Sequence, residues 1–130
     1  MVIVDTSIWS EVLRRHTTTD AHHVTRLESL IDEERIVMIG PIRQELLSGI
    51  RERVQFLKLR RYLRSFADLP ITSSEYELAA THYNQCRSRG IQGSHIDFLI
   101  CAVSQRHKLP IYTSDKDFIN YQKVLNIRLF

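Results

Sequence analysis

Cysteine is scarce in this sequence, and long apolar runs are absent. Its 130 residues include only Cys86 and Cys101, which do not form a C-x-x-C pair. So few cysteines favour free thiols in a reducing, cytoplasmic environment over a disulfide framework. No run of 18 apolar residues occurs, so we predict no transmembrane helix and no membrane partner. Met1 leads directly into an apolar run, and we therefore expect no signal peptide.

The signatures of several other protein classes are also missing. The sequence has no G-x-x-x-x-G-K-[ST] loop, which argues against a P-loop nucleotide hydrolase. It has no internal repeat, no low-complexity tract and no linker. The formal net charge is +3 and the isoelectric point is near 9.1, which permits a polyanionic partner without establishing one. At this length we expect one domain over residues 1–130, with a single core.

Short apolar segments alternate with amphipathic segments along the chain. The apolar segments predict strands at residues 2–4, 36–39, 69–71, 109–112 and 127–130. Helical spacing predicts helices at residues 7–15, 22–34, 40–49, 51–66, 74–89, 94–107 and 115–122, with a break at residues 17–20 and a capping box at Ser74-x-x-Glu77. Strands that alternate with helices indicate an α/β fold with a mostly parallel sheet.

The first predicted strand ends abruptly on a carboxylate. Val2, Ile3 and Val4 are β-branched and apolar, as in a strand buried inside a parallel sheet, and Asp5 follows them directly. Open α/β sheets bind their ligands at the carboxyl ends of such strands, so Asp5 fits the floor of an active site. It fits the N-cap of the next helix equally well, because Asp is a favoured capping residue.

Four further acids fall at comparable places. Glu45 lies in the helix after the second strand, and Asp97 lies in the first turn of a later helix. Asp115 and Asp117 follow the fourth strand. Because parallel strands end at the same edge of a sheet, these carboxylates can converge with Asp5. Converging carboxylates repel one another, and a hard divalent cation such as Mg²⁺ or Mn²⁺ relieves that repulsion. Such ions support phosphodiester hydrolysis in proteins.

Each of these acids also has a purely structural explanation. Two S-x-x-D motifs, which end at Asp97 and Asp117, match capping boxes and could serve only to begin helices. Glu45 stands beside core leucines, where an unpaired buried carboxylate is costly, and this favours a function for it. Asp115 is not accounted for by the motif that accounts for Asp117.

In their order and intervals, these elements resemble the PIN domain. The matching segments are Asp5-Thr6-Ser7, Pro41 followed by Glu45, Asp97 at a helix start, and Thr113-Ser114-Asp115-Lys116-Asp117-Phe118. In length and motif order the chain is similar to VapC-type toxins of toxin–antitoxin pairs. The resemblance implies a three-layer α/β/α sandwich with a mostly parallel central sheet. It also implies a Mg²⁺- or Mn²⁺-dependent endoribonuclease.

The resemblance further implies which residues form the site. The acidic quartet of the family maps onto Asp5, Glu45, Asp97 and one of Asp115 or Asp117. The hydroxyls that would support it by hydrogen bonds belong to Thr6, Ser7 and Thr113. We prefer Asp115 as the fourth acid, because Asp117 has the capping explanation.

The mechanism we expect from this resemblance is hydrolysis of RNA by metal-activated water. Asp5, Asp97 and Asp115 ligate the metal, and Glu45 helps to hold or orient the water that attacks the RNA phosphorus. The implied partners are the RNA substrate, a cognate antitoxin protein and a second copy of the chain in a homodimer.

Other interpretations stay open from the sequence alone. A non-toxin PIN nuclease of RNA processing would carry the same acids, whereas a catalytically silent nucleic-acid-binding module would not need them. A phosphatase with Asp5 as nucleophile usually has a second Asp two residues on, where this chain has Ser7. The cations that RNA binding requires are frequent at residues 51–64, where we favour a solvated helix face, and Arg87 and Arg89 form another group.

Overall fold

Seven helices and three short strands follow one another in residues 1–13 and 21–130, the part of the chain that the computed structural model describes. In chain order they are β1 (Val2–Val4), α1 (Thr6–Leu13), α2 (Ala21–Asp32), β2 (Ile36–Val37), α3 (Gly40–Leu47), α4 (Arg53–Leu63), α5 (Ser73–Ser88), α6 (His95–His107), β3 (Ile111–Tyr112) and α7 (Asp117–Gln122). The predicted helices are present with somewhat different ends. The predicted end of the first helix at residues 14–15 and the break at residues 17–20 lie outside the described residues.

The strands form a parallel sheet in the order β2-β1-β3. Val2 of β1 pairs with Ile36 of β2, and Ile3 of β1 pairs with Ile111 of β3. Parallel neighbours cannot be joined by a tight turn, so helical crossovers connect them. The predicted α/β fold with a mostly parallel sheet is confirmed.

The central strand β1 is buried on both faces. Val2, Ile3 and Val4 each expose 0% of their surface, so both sides of the sheet are covered, as in a three-layer α/β/α sandwich. The chain adds β2 on one side of β1 and later adds β3 on the other side. Such a reversal in strand order marks the carboxyl end of β1, where open α/β sheets form the crevice that binds ligands.

Two of the five predicted strands are wrong. At residues 69–71 the Leu69 N–H donates to the Met38 carbonyl at 2.8 Å, and an isolated bridge joins Met38 to Asp68. Pro70 has no N–H to donate, so the pairing does not extend through it. The predicted closing strand at residues 127–130 is reduced to an isolated bridge between Leu129 and β3. The strands β2 and β3 are present but hold two residues each.

The capping box of α5 lies two residues earlier than predicted. Thr72 and Glu75 form it, and the Thr72 N–H donates to Glu75 Oε2 at 3.0 Å. The box predicted at residues 74–77 is therefore wrong. Glu75 is buried, and its Oε1 lies 3.6 Å from Arg106 Nε and 3.2 Å from His107 Nε2. This carboxylate ties the start of α5 to the end of α6, which explains why Glu75 rather than its neighbours completes the cap.

The helix α6 is deeply buried and carries one of the predicted site acids. Every residue from 98 to 104 is buried, and α5 packs along this helix. The burial holds the first turn of α6, and Asp97 within it, at a fixed position relative to the sheet. Cys86 and Cys101 are both free thiols, and both are buried. Within the described residues, no helix combines the length and the apolar character needed to cross a membrane.

Candidate active site

Asp5 stands at the carboxyl end of the central strand and is 6% exposed. Its backbone N–H donates to the Tyr112 carbonyl of β3 at 2.9 Å. Its Oδ2 accepts hydrogen bonds from the hydroxyls of Ser7 at 2.9 Å and of Thr113 at 2.7 Å. The helix α1 begins on the backbone carbonyl of Asp5, which accepts the Ile8 N–H at 3.1 Å. The side chain is thus held by charge-assisted hydrogen bonds, which a buried carboxylate requires.

The hydroxyl of Thr113 connects two of the acids. Besides donating to Asp5, Thr113 Oγ1 accepts the Asp115 N–H at 3.0 Å and lies 3.2 Å from Ser7 Oγ. Ser7 Oγ also accepts the Ser114 N–H at 3.1 Å. These bonds tie the loop after β3 to the end of β1. The acids of that loop are therefore brought beside Asp5.

Asp115, rather than Asp117, supports the start of α7. Asp115 Oδ1 accepts the Asp117 N–H at 2.9 Å, whereas the Ser114 hydroxyl donates to Glu11 Oε1 at 2.9 Å. The capping box predicted for Asp117 is therefore wrong, and a helix-capping role does not distinguish Asp117 from Asp115. Asp115 is half-buried and Asp117 is exposed. An ionised carboxylate offers about four lone-pair sites, so the bond to Asp117 leaves Asp115 able to ligate a cation.

Asp97 lies in the first turn of α6, as predicted. Its N–H donates to Ser94 Oγ at 3.0 Å, and its Oδ2 accepts the Tyr121 hydroxyl at 2.6 Å. Burial raises the pKa of Asp97, and hydrogen bonds from Tyr121 and Ser94 oppose that shift. The negative charges of Asp5 and Asp115 raise the pKa of this carboxyl further. Such mutual repulsion is expected where carboxylates converge without a cation among them.

Glu45 reaches the site from α3 but is exposed. The prediction that it is buried among leucines is wrong. Leu46 is buried and Leu47 packs against the core, but successive helical residues point about 100° apart, so Glu45 points away from it. Glu45 Oε1 accepts a hydrogen bond from the Thr6 hydroxyl at 3.0 Å. Since Thr6 follows Asp5 directly, this bond holds Glu45 at the rim of the same crevice.

The carboxylate oxygens of Asp97, Asp115 and Asp117 lie within 4.8 Å of one another. Asp5 is not one of these three acids, but Thr113 connects it to Asp115 and its negative charge raises the pKa of Asp97. Across residues 1–13 and 21–130, no other group of three or more acidic, histidine or cysteine side chains is close enough to hold a metal ion. The donors are all carboxylate oxygens, a set that fits a hard divalent cation.

Tyr121 is a residue of this site that the sequence did not reveal. It is fully buried in α7, with its ring 4.9 Å from Phe98 and 5.1 Å from Phe118 between centroids. In the sequence it is indistinguishable from any core aromatic residue. A buried tyrosine needs a partner for its hydroxyl, and Asp97, 24 positions away, supplies it.

Glu11 is a further residue beside this site, and its helical spacing from Ser7 could have indicated it. Ser7 and Glu11 are four residues apart in α1 and so share one face of the helix. Ser7 Oγ accepts the Ser114 N–H, and Glu11 Oε1 accepts the Ser114 hydroxyl. The two side chains together hold the loop that carries Asp115.

The family model for the PIN domain matches residues 2–124. The chain belongs to the PIN-domain family. This PIN domain is 32% identical over 130 residues to Ribonuclease VapC11 of Mycobacterium tuberculosis, an overlap of 98% of this chain and 96% of the relative. VapC ribonuclease Mb1587 of Mycobacterium bovis gives the same identity and the same coverage.

Solved structures share the fold of this PIN domain. FitAcB from Neisseria gonorrhoeae superposes with a TM-score of 0.79 at 23% identity, over 100% of this chain and 96% of that one. VapBC2 from Rickettsia felis, bound to a promoter DNA fragment, also gives a TM-score of 0.79, at 16% identity, over 100% of this chain and 98% of that one. At such identities these likenesses show the fold alone.

Proposed function

We propose that this PIN domain is a Mg²⁺-dependent endoribonuclease, with Mn²⁺ as a substitute, and the toxin of a toxin–antitoxin pair. The observation that carries the proposal is the close approach of Asp97, Asp115 and Asp117, beside which Thr113 holds Asp5 and Thr6 holds Glu45. The ribonuclease names of the relatives and the toxin–antitoxin complexes among the proteins that share the fold support it. A module that only binds nucleic acid has no need for such a mutually repelling set of carboxylates.

The geometry supports a division of roles among the acids. Asp5, Asp97 and Asp115 are the proposed metal ligands, because each is at least half-buried and is held by a hydrogen bond. Asp117 is a further candidate, since its carboxylate belongs to the same cluster but is exposed. Glu45 stands at the rim and is the proposed catalytic group that contacts water.

The protein contributes orientation, and the ion contributes charge. A bound hard divalent cation supplies a lowered pKa for water and stabilisation of the departing oxygen. Thr113 and Ser7 fix one oxygen of Asp5, and Tyr121 fixes one oxygen of Asp97. Glu45 Oε1 is engaged by Thr6, which leaves its second oxygen to accept a proton from the water that attacks phosphorus.

The toxin role requires a partner that neutralises the enzyme. In this proposal a cognate antitoxin covers the acidic crevice and blocks RNA. We also propose that residues 1–130 act as one domain and that two copies form a homodimer. Light scattering on the purified protein measures the size of that assembly.

The nuclease proposal is tested by cleavage of RNA in Mg²⁺ and in excess chelator. We expect the parent protein to cleave RNA only with the metal. Asp5→Asn removes a proposed ligand, so its cleavage rate should fall by more than the roughly 10–100-fold typical of losing a residue that only supports a ligand. Asp32→Asn is the matched control, because Asp32 is exposed at the end of α2. Equal cleavage by the parent and Asp5→Asn would contradict the proposal.

The toxin role is tested separately by induced expression in bacteria. The parent should arrest growth. Asp5→Asn should not, and neither should the parent when it is co-expressed with the antitoxin. If Asp5→Asn arrests growth as strongly as the parent, toxicity does not come from this site.

A further inference from the structure

A cavity of about 200 Å³ lies between the end of α5 and the segment that leads into α6. It is lined by Tyr83, Arg87, Ile91, Gln92, Gly93 and Phe98. None of these residues has a role in the mechanism above.

Two of the lining residues connect the cavity to the acidic cluster. Gly93 packs so closely on Tyr121 that a Cβ atom at Gly93 would overlap the tyrosine hydroxyl. That hydroxyl is the donor to Asp97. Phe98 follows Asp97 in α6 and contacts the ring of Tyr121 at 4.9 Å. The cavity is therefore separated from the acids by a single layer of side chains.

The cavity carries a cation and an aromatic ring on one helix face. Tyr83 and Arg87 are four residues apart in α5, and Arg87 Nη1 donates to the Tyr83 hydroxyl at 3.4 Å. The ring of Tyr83 stacks on His95 at 5.1 Å and meets the edge of Phe98 at 5.6 Å. These contacts fix its orientation in advance, while the side chain stays half-exposed. Arg87 is exposed and has a guanidinium fork that matches phosphate.

This combination suits a nucleotide of single-stranded RNA. Single-stranded nucleic acids bind where aromatic side chains offer a stacking face and cations track the backbone. The volume lies below the roughly 300–1,000 Å³ of sites for drug-sized ligands, so the cavity takes one ring system. An antitoxin segment that inserts a cationic side chain among the acids would be repelled by the like charge of Arg87. The polyanionic substrate finds a complementary charge there.

We propose that this Tyr83–Arg87 cavity holds a nucleotide next to the scissile phosphate. The base contacts the ring of Tyr83, and a backbone phosphate contacts the guanidinium of Arg87. The side-chain amide of Gln92 is available to the base edge, since an amide both donates and accepts hydrogen bonds. The inference rests on the proposed ribonuclease function and adds a subsite to it.

The test measures binding of a fluorescent single-stranded RNA 12-mer of random sequence in Mg²⁺. The protein carries Asp5→Asn in every sample, so that the probe is not cleaved. In this background Tyr83→Leu should weaken binding about 5- to 150-fold, the loss typical of one base–aromatic stack. Tyr83→Phe should bind as the background protein does. With an abasic probe that keeps its phosphates, the effect of Tyr83→Leu should vanish.

The phosphate contact is tested by the dependence of the same binding on salt. Arg87→Gln should reduce the slope of log K against log salt by about 0.7, the value for one phosphate on a single strand. Arg89→Gln removes the same charge two residues away and outside the cavity, so it should leave the slope unchanged. An equal effect of both variants would mean that net charge, not the cavity, attracts RNA, and would overturn the proposal.

Cleavage by the otherwise unchanged parent separates this proposal from the ribonuclease function. If the parent cleaves RNA while Tyr83→Leu and Arg87→Gln bind and cleave like it, the subsite is wrong and the nuclease stands. If the parent cleaves no RNA with Mg²⁺ or Mn²⁺, the proposed function fails as well. If the variants bind RNA normally but no longer co-purify with the co-expressed antitoxin, the cavity is a protein-binding site instead.

Discussion

Thr113→Val is the substitution that best tests how the acids are held together. Valine keeps the shape of threonine but removes the hydroxyl that donates to Asp5 at 2.7 Å and accepts the Asp115 N–H at 3.0 Å. A hydrogen bond to a charged group contributes about 1.5–3 kcal/mol and one between neutral groups about 0.5–1.5 kcal/mol. Because Thr113 is half-buried, water replaces part of this loss, and we expect a destabilisation of about 2 kcal/mol.

Urea unfolding measures the stability of Thr113→Val, and RNA cleavage measures its activity. We expect activity to fall roughly 10–100-fold, as is typical when a residue behind the ligands is lost. Thr113→Ser keeps the hydroxyl, so it should retain most of the parent's stability and most of its RNA cleavage. Thr25→Val is the matched control, because Thr25 is exposed in α2 and its hydroxyl donates to the Ala21 carbonyl of its own helix. It should change stability by less than about 0.5 kcal/mol. If Thr113→Val matched that control in stability and the parent in cleavage, the hydroxyl would not organise the site.

Two further predictions concern Tyr121 and Glu75. Tyr121→Phe removes the donor to Asp97 and should lower metal affinity or cleavage roughly 10–100-fold, whereas Tyr76→Phe, at an exposed position, should not. Hydrogen bonds from Thr72, chiefly, lower the pKa of Glu75 from 4.5 to about 2. A lowered folded-state pKa gives stability that is complete above pH 4.5 and is lost as the pH falls towards 2. In urea unfolding, Glu75→Gln should therefore be less stable than the parent at pH 7. Its free energy of unfolding should also change less with pH below 4.5. Parallel pH profiles of the two proteins would refute this.

The order of the elements was predictable because it depends on local patterns. The β-branched run at residues 2–4 predicts the central strand, and the alternation with helices predicts a parallel sheet. The wrong strands are short segments at residues 69–71 and 127–130, where apolar residues pack without a partner ladder. Periodicity cannot distinguish such segments from strands, since pairing is decided by distant parts of the chain.

The positions of the candidate acids at strand ends and helix starts were predictable, but their surroundings were not. Asp5, Asp97 and Asp115 stand at strand ends and helix starts, which sequence patterns can locate. The contact between Tyr121 and Asp97 depends on how α7 packs against α6, and no local pattern reports it. The S-x-x-D motif did not distinguish Asp115 from Asp117, because the Ser114 hydroxyl donates to Glu11 instead of capping α7. Glu45 is exposed although Leu46 beside it is buried, because adjacent residues of a helix point about 100° apart.

Isothermal titration calorimetry of the purified protein with Mn²⁺ tests the central claim most directly. The claim is that these carboxylates form one metal site. The parent should bind the ion, and Asp5→Asn and Asp97→Asn should each lose most of that affinity although the two residues belong to different elements. Asp32→Asn should bind Mn²⁺ like the parent. If Asp5→Asn and Asp97→Asn both bound Mn²⁺ as tightly as the parent, the convergence of acids at the end of β1 would not be a metal site.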